Sequence, residues 1–105
     1  MTGQSTADAT ECVHLPDLDD DGRGVLFEGE PRTVRLALEA GETVPAHEHP
    51  GRDIVCYVVE GELTMALGED DHSLIPGDVL RFDGDQDISP MAETDAVALL
   101  VLATE

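Results

Sequence analysis

Apolar residues along this chain fall in short runs separated by clusters of Gly, Pro and Asp, the pattern of strands and tight turns. In Thr33–Glu39, Val34, Leu36 and Leu38 alternate with their neighbours, which predicts a half-buried strand. Ala40-Gly41-Glu42 reads as a turn, and Thr43–His49 as extended chain with Pro45 marking an edge. Ile54–Val59 is apolar on both faces, so that strand should be covered on both sides. After Glu60-Gly61, Leu63, Met65 and Leu67 alternate again. Gly68–Asp71 is a polar hairpin turn, Ser73–Ile75 a short strand, Pro76-Gly77-Asp78 a tight turn and Val79–Phe82 a further strand. Ala96–Ala103 has the composition of a helix, but its shortness and its place after several hairpins favour a strand buried on both faces. Residues 1–11 lack periodicity and read as a flexible tail, leaving 12–105 as a single domain. The expected fold is all-β: one small antiparallel barrel or jelly roll with no long helix. Two doubly apolar strands in so small a barrel also predict a homodimer, packed sheet to sheet.

Charge narrows the partners. The chain has 105 residues, 24 of them acidic and 5 basic, for a net charge of −19. The basic residues are all arginine (Arg23, Arg32, Arg35, Arg52 and Arg81). Such a surface repels phosphates and anionic lipid, so no nucleic acid and no membrane surface is expected as partner. No segment approaches the ~20 apolar residues of a membrane helix, and the first residues lack the marks of a secretion signal. A cytoplasmic protein is the expectation. Composition of this kind, acidic and free of lysine, resembles the proteins of halophilic archaea, in which molar salt shortens the Debye length to ~3 Å and screens the self-repulsion. The other reading of the acidity is a patch for a basic partner. Cys12 and Cys56 match no paired motif and should be free thiols, with Cys56 in the core.

The chemistry concentrates in GETVPAHEHPGRDIVCYVVEG, Gly41–Gly61. His47 and His49 are two residues apart, so on an extended chain both imidazoles point to one face. Two neutral imidazoles facing a barrel interior can meet a metal ion at ~2.0–2.1 Å. Gly41, His47, His49 and Gly61 resemble the first motif of the cupin family, and Leu74–Val79 (LIPGDV) resembles the turn opening its second motif. The resemblance spans about residues 33–103. It implies a cupin barrel, a divalent transition metal (Fe, Mn, Zn or Ni) and a small organic ligand or substrate. Two departures stand out. Ile54 occupies the place of the family's glutamate ligand, with Asp53 one residue away and on the other face unless a bulge intervenes. Asp87 falls where the spacing from Gly84 would put the second motif's histidine. A His47/His49/Asp87 set would be a two-histidine, one-carboxylate site, with Asp53 the less favoured third ligand. The plainer alternative is a degenerate barrel in which the histidines only hydrogen-bond.

A second metal pattern competes. DLDDDGRGVLFE, residues 17–28, matches the calcium-loop pattern through Asp17, Asp19, Asp21, Gly22 and Glu28. In so acidic a chain chance matches are inflated, and the flanks show no helices, so a solvated surface turn is the favoured reading. His14 and His72 read as surface residues. Tyr57 and Phe82 read as core or barrel lining, with Tyr57 a candidate to reach a ligand. Arg52, over the barrel mouth, is a candidate anchor for an anionic substrate or a partner in a structural ion pair. No phosphate loop, Ser/His/Asp set or CxxC pair occurs. Two functions follow: a metal-dependent cupin enzyme of dioxygenase, isomerase or decarboxylase type, or a non-catalytic ligand-binding or sensor module with a degenerate or structural metal site.

Overall fold

A computed structural model describes residues 10–17 and 22–104. After a single 3-10 turn at Leu15–Asp17, eight strands follow: β1 Gly22–Phe27, β2 Arg32–Leu38, β3 Arg52–Glu60, β4 Leu63–Leu67, β5 Asp70–Leu74, β6 Val79–Asp83, β7 Ile88–Ala92 and β8 Ala96–Thr104. They form a five-stranded sheet in the order β1-β2-β8-β3-β6 and a three-stranded sheet in the order β5-β4-β7, with antiparallel pairing throughout. The expected all-β architecture is observed, and Ala96–Thr104 is a strand. No helix among the described residues is long and apolar enough to cross a membrane.

The core lies between the sheets and follows from alternation. Val34, Leu36 and Leu38 of β2, Ile54, Cys56 and Val58 of β3, and Leu63, Met65 and Leu67 of β4 all point inward and are buried. Phe82, Ile88, Ala98 and Leu102 close the same cluster. Removing a large side chain of this set, such as Met65 or Leu36, costs about 2–5 kcal/mol by lost transfer energy and the cavity left behind. Both cysteines are free thiols. Burial pushes the Cys56 thiol up to about 12, so it remains protonated and inert.

Four features differ from the sequence reading. Residues 43–49 make only two isolated bridges, Thr43 to Met91 and His47 to Ile88, because Pro45 and Pro50 lack the N–H groups a ladder needs. Strands β1 and β7 are absent from the apolar pattern; Pro90 interrupts β7 and is accommodated because this strand ends the three-stranded sheet. The hairpin turn after β4 is only Gly68-Glu69, and β5 begins at Asp70. Tyr57 is not part of the core: it is 42% exposed on the outer face of β3.

That outer face is apolar across several strands. Leu99 lies beside Tyr57 and Tyr57 beside Val79, while Val101, Val55 and Arg81 form the next row. Val79 is 63% exposed. The following row, Ala103, Asp53 and Asp83, brings two carboxylates, of which Asp53 accepts two hydrogen bonds from Arg81, at 2.8 and 3.1 Å. In a chain of net charge −19, this strip is close to neutral.

Candidate metal centre

The segment carrying the histidines crosses the open end between the two sheets. His47 exchanges two backbone hydrogen bonds with Ile88, at 3.1 and 2.8 Å, and His49 N–H donates to the Gly84 carbonyl at 2.9 Å. Gly84 is required at this crossing: a Cβ there would stand 2.2 Å from the His49 carbonyl oxygen. The glycine of the second motif therefore packs against the histidine segment of the first. Gly61 is constrained for a different reason. Its φ is +79°, and a Cβ would meet the Asp95 carbonyl oxygen at 2.0 Å.

Both imidazoles turn inward, and each borders the space between the sheets. Their Nε2 atoms lie 3.0 Å apart, with ring centroids separated by 4.7 Å and planes at 85°. His47 Nδ1 is 3.0 Å from the Pro45 carbonyl oxygen. A carbonyl can only accept, so Nδ1 carries the proton and the neutral ring's lone pair sits on Nε2. His49 Nε2–H is then the donor between the rings. A backbone carbonyl holding the far nitrogen is the usual support of a metal-binding imidazole.

The surroundings are apolar. Leu36, Ile54, Met65, Phe82 and Ile88 line a cavity of about 30 Å³ with the two rings. Among the described residues, no group of three or more His, Cys, Asp or Glu side chains is placed to hold a metal. Ile54 faces inward at the place of the absent glutamate. Asp53, on the opposite face of β3, is engaged with Arg81. Asp87 is exposed, and the next residue, Ile88, takes the inward place; the period of two puts these neighbours on opposite faces. Neither acid therefore joins the pair. The donor set fits two positions of a coordination sphere, since nitrogens 3.0 Å apart can share an ion at about 2.0–2.1 Å. Remaining positions would have to come from water or a ligand.

Tyr57 lies on the far face of the sheet and does not reach this cavity. Arg52 donates to Glu30 at 2.5 Å and to the Leu102 carbonyl at 3.3 Å. Glu30 also accepts from Thr104 N–H and its hydroxyl, at 3.0 and 2.8 Å. The Thr104 hydroxyl and then the Arg52 guanidinium hold the Glu30 carboxyl below its ordinary range. His14 is exposed and His72 lies on β5. Of the calcium-loop residues, Asp19 and Asp21 lie outside the described residues, as do the carboxylate of Asp17 and tail residues 1–9; Glu28 is exposed. Sequence reasoning missed Arg32, which also faces the open end. Its spacing of two from Val34 was the available signal.

Comparison with known proteins agrees with this architecture. Residues 34–103 match the model of the cupin domain family. No curated protein matches the chain. Among solved structures, TT1209 from Thermus thermophilus is similar at 26% identity, with a TM-score of 0.81 over 90% of this chain and 98% of that one. An RmlC-like cupin protein from Desulfovibrio desulfuricans gives 22% identity and a TM-score of 0.79, over 90% and 96% of the two chains. A predicted oxalate decarboxylase from Thermotoga maritima gives 24% and 0.71, over 79% of each chain. The last two likenesses are of fold.

Proposed function

Because the chain belongs to the cupin family, whose fold fixes no single activity, we propose that it is a small-ligand-binding cupin whose His47/His49 pair takes one divalent transition metal ion. The observation that carries this reading is the convergence of the two Nε2 atoms at 3.0 Å, with His47 Nδ1 anchored on the Pro45 carbonyl. When bound, such an ion supplies Lewis acidity toward an oxygen donor of the ligand. The chain's own residues supply the rest. Pro45 fixes the His47 tautomer, and Gly84 holds His49 in place. His49 moves its ring proton from Nε2 to Nδ1 to free its lone pair. Ile54, Phe82 and Ile88 exclude bulk water. Elemental analysis of protein purified in molar salt without chelator tests the reading. About one equivalent of a transition metal is expected, lost in the His47→Ala/His49→Ala variant. No metal in either protein after anaerobic reconstitution would refute it.

A non-catalytic role is favoured within this reading by one observation: the histidines are the titratable groups lining the inner cavity, and no carboxylate among the described residues accompanies them. A general acid or base needs hydrogen-bond reach to the reacting atoms, and among the described residues no titratable group besides the two histidines lines that cavity. Stoichiometric binding without turnover is the expected behaviour. A reproducible metal-dependent reaction, lost in the double variant, would establish the enzyme instead.

A further inference from the structure

The cavity behind the histidines is too small for an organic ligand. About 30 Å³ holds an ion or at most two to three waters, given the ~10–15 Å³ each water needs. A second chamber of about 390 Å³ opens beside it, bordered by His49, Val25, Leu100, Leu102, Arg32 and Arg52. That is within the range of about 300–1,000 Å³ usual for small-molecule sites. His49, Leu100 and Leu102 line both spaces, so the chamber is the vestibule of the metal centre.

The charge of this vestibule runs against that of the molecule. Two of the chain's five basic residues line it, and no acidic residue among those described does. The groove bordered by Arg35 on the same sheet has Glu39, Glu60 and Asp95 in its lining. The sheet order explains how the two guanidinium groups meet. Arg32 opens β2 and Arg52 opens β3, and these strands flank β8, pairing with Leu102 and Thr104. Both arginines share a face with inward-pointing neighbours, Val34 and Ile54, and start about 12 Å apart, two strand spacings across and two residues along. Glu30 holds Arg52 by one nitrogen, Nη1. Counting Glu30, the three groups carry a net charge of +1.

We infer that this vestibule binds a small organic monoanion, a carboxylate with an apolar body. Its carboxylate meets Arg32 and the remaining N–H groups of Arg52, and its body lies on Val25, Leu100 and Leu102. A guanidinium fork matches a carboxylate bidentately. The net +1 balances one negative charge, which disfavours a phosphate monoester dianion, and the aliphatic floor disfavours a sugar. This assignment rests on reading the barrel as a small-ligand site but does not require the metal.

The test is a methyl-resolved NMR titration of the full-length protein with benzoate, benzamide and phenyl phosphate as probes. Benzoate should shift the methyl signals of Val25, Leu100 and Leu102, and benzamide should bind at least tenfold more weakly. Arg32→Gln should weaken benzoate roughly tenfold or more, as expected for a lost charge-assisted hydrogen bond, with part of the affinity returning in Arg32→Lys. The spectra of these variants report directly whether they are folded. Equal binding of benzamide, tighter binding of phenyl phosphate, no benzoate binding at tens of millimolar, or indifference to Arg32→Gln would each overturn the inference. His47→Ala separates it from the metal reading, because His47 lines the inner cavity and not the vestibule. Metal lost with benzoate affinity retained supports both assignments. Benzoate affinity lost with the metal, in a protein indifferent to Arg32→Gln, would mean that the ion holds the carboxylate and the arginines do not.

Discussion

Replacing Gly84 by alanine should disturb the site without touching a ligand. The new Cβ would stand 2.2 Å from the His49 carbonyl oxygen and 3.0 Å from that of Arg52, where ordinary contact begins at 3.4 Å. Both neighbours are backbone, so relief requires the His49–Arg52 segment to move by roughly an ångström. Three backbone hydrogen bonds hold that segment, Gly84 N–H to Arg52 O at 2.8 Å, His49 N–H to Gly84 O at 2.9 Å and Arg52 N–H to His49 O at 3.2 Å, beside one from Gly51 N–H to the Asp85 carboxylate at 3.1 Å. Weakening two of them at about 1 kcal/mol each, with overpacking of about 1–3 kcal/mol, outweighs the about 0.4–1 kcal/mol gained by restricting the unfolded chain. A net loss of about 2–4 kcal/mol is expected. At about 4–8 °C per kcal/mol for a domain of this size, Tm should fall by about 10 °C or more. Gly24→Ala is the control, since its Cβ would meet nothing within 4 Å. Urea melts give the energies, and the imidazole NMR signals report whether His49 has moved. A Gly84→Ala protein as stable as wild type, with unchanged histidine signals, would refute the packing argument.

Further outcomes follow from charge and burial. With a net charge of −19, Tm should rise between dilute buffer and molar KCl as screening removes self-repulsion; an unchanged melting curve would refute a salt-adapted fold. The lowered pKa of Glu30 means that its contribution is present above the ordinary glutamate range and is lost as pH falls through the folded-state value. Wild type should thus lose more stability than Glu30→Gln between neutral pH and about pH 3, and parallel urea midpoints would contradict this. Exposed Cys12 should react with a thiol reagent in the native protein while Cys56 reacts only on unfolding; rapid labelling of both would show the core to be open. A second copy covering the near-neutral outer face of the five-stranded sheet predicts a dimer mass by light scattering in molar KCl. Val79→Glu should shift that mass to the monomer, and a monomeric wild type would remove the idea.

Much of the architecture was legible because alternation is a local property. Val34, Leu36 and Leu38, and Leu63, Met65 and Leu67, face one way whatever surrounds them, so their strands and inward faces could be read directly. The same rule put His47 and His49 on one side and Ile54 inside. What alternation could not supply was register around irregular chain. β7 was hidden by Pro90, whose tolerance depends on the strand ending its sheet, a fact of topology. Spacing from Gly84 aimed Asp87 at the site, whereas Ile88 took the inward place. Tyr57 was misread as lining because an apolar strand does not announce which face has a second layer over it.

By itself the sequence determined the all-β class, the histidine pair and the charge that sets the molecule's relation to its solvent, since each follows from residue type and short spacing. Only the tertiary structure decided that the pair has no third protein ligand among the described residues, and that Arg32 and Arg52 stand together at its mouth. Those facts depend on which strands lie side by side. β2 and β3 are neighbours across β8, a strand that comes after both in the chain, and no local spacing can express that adjacency.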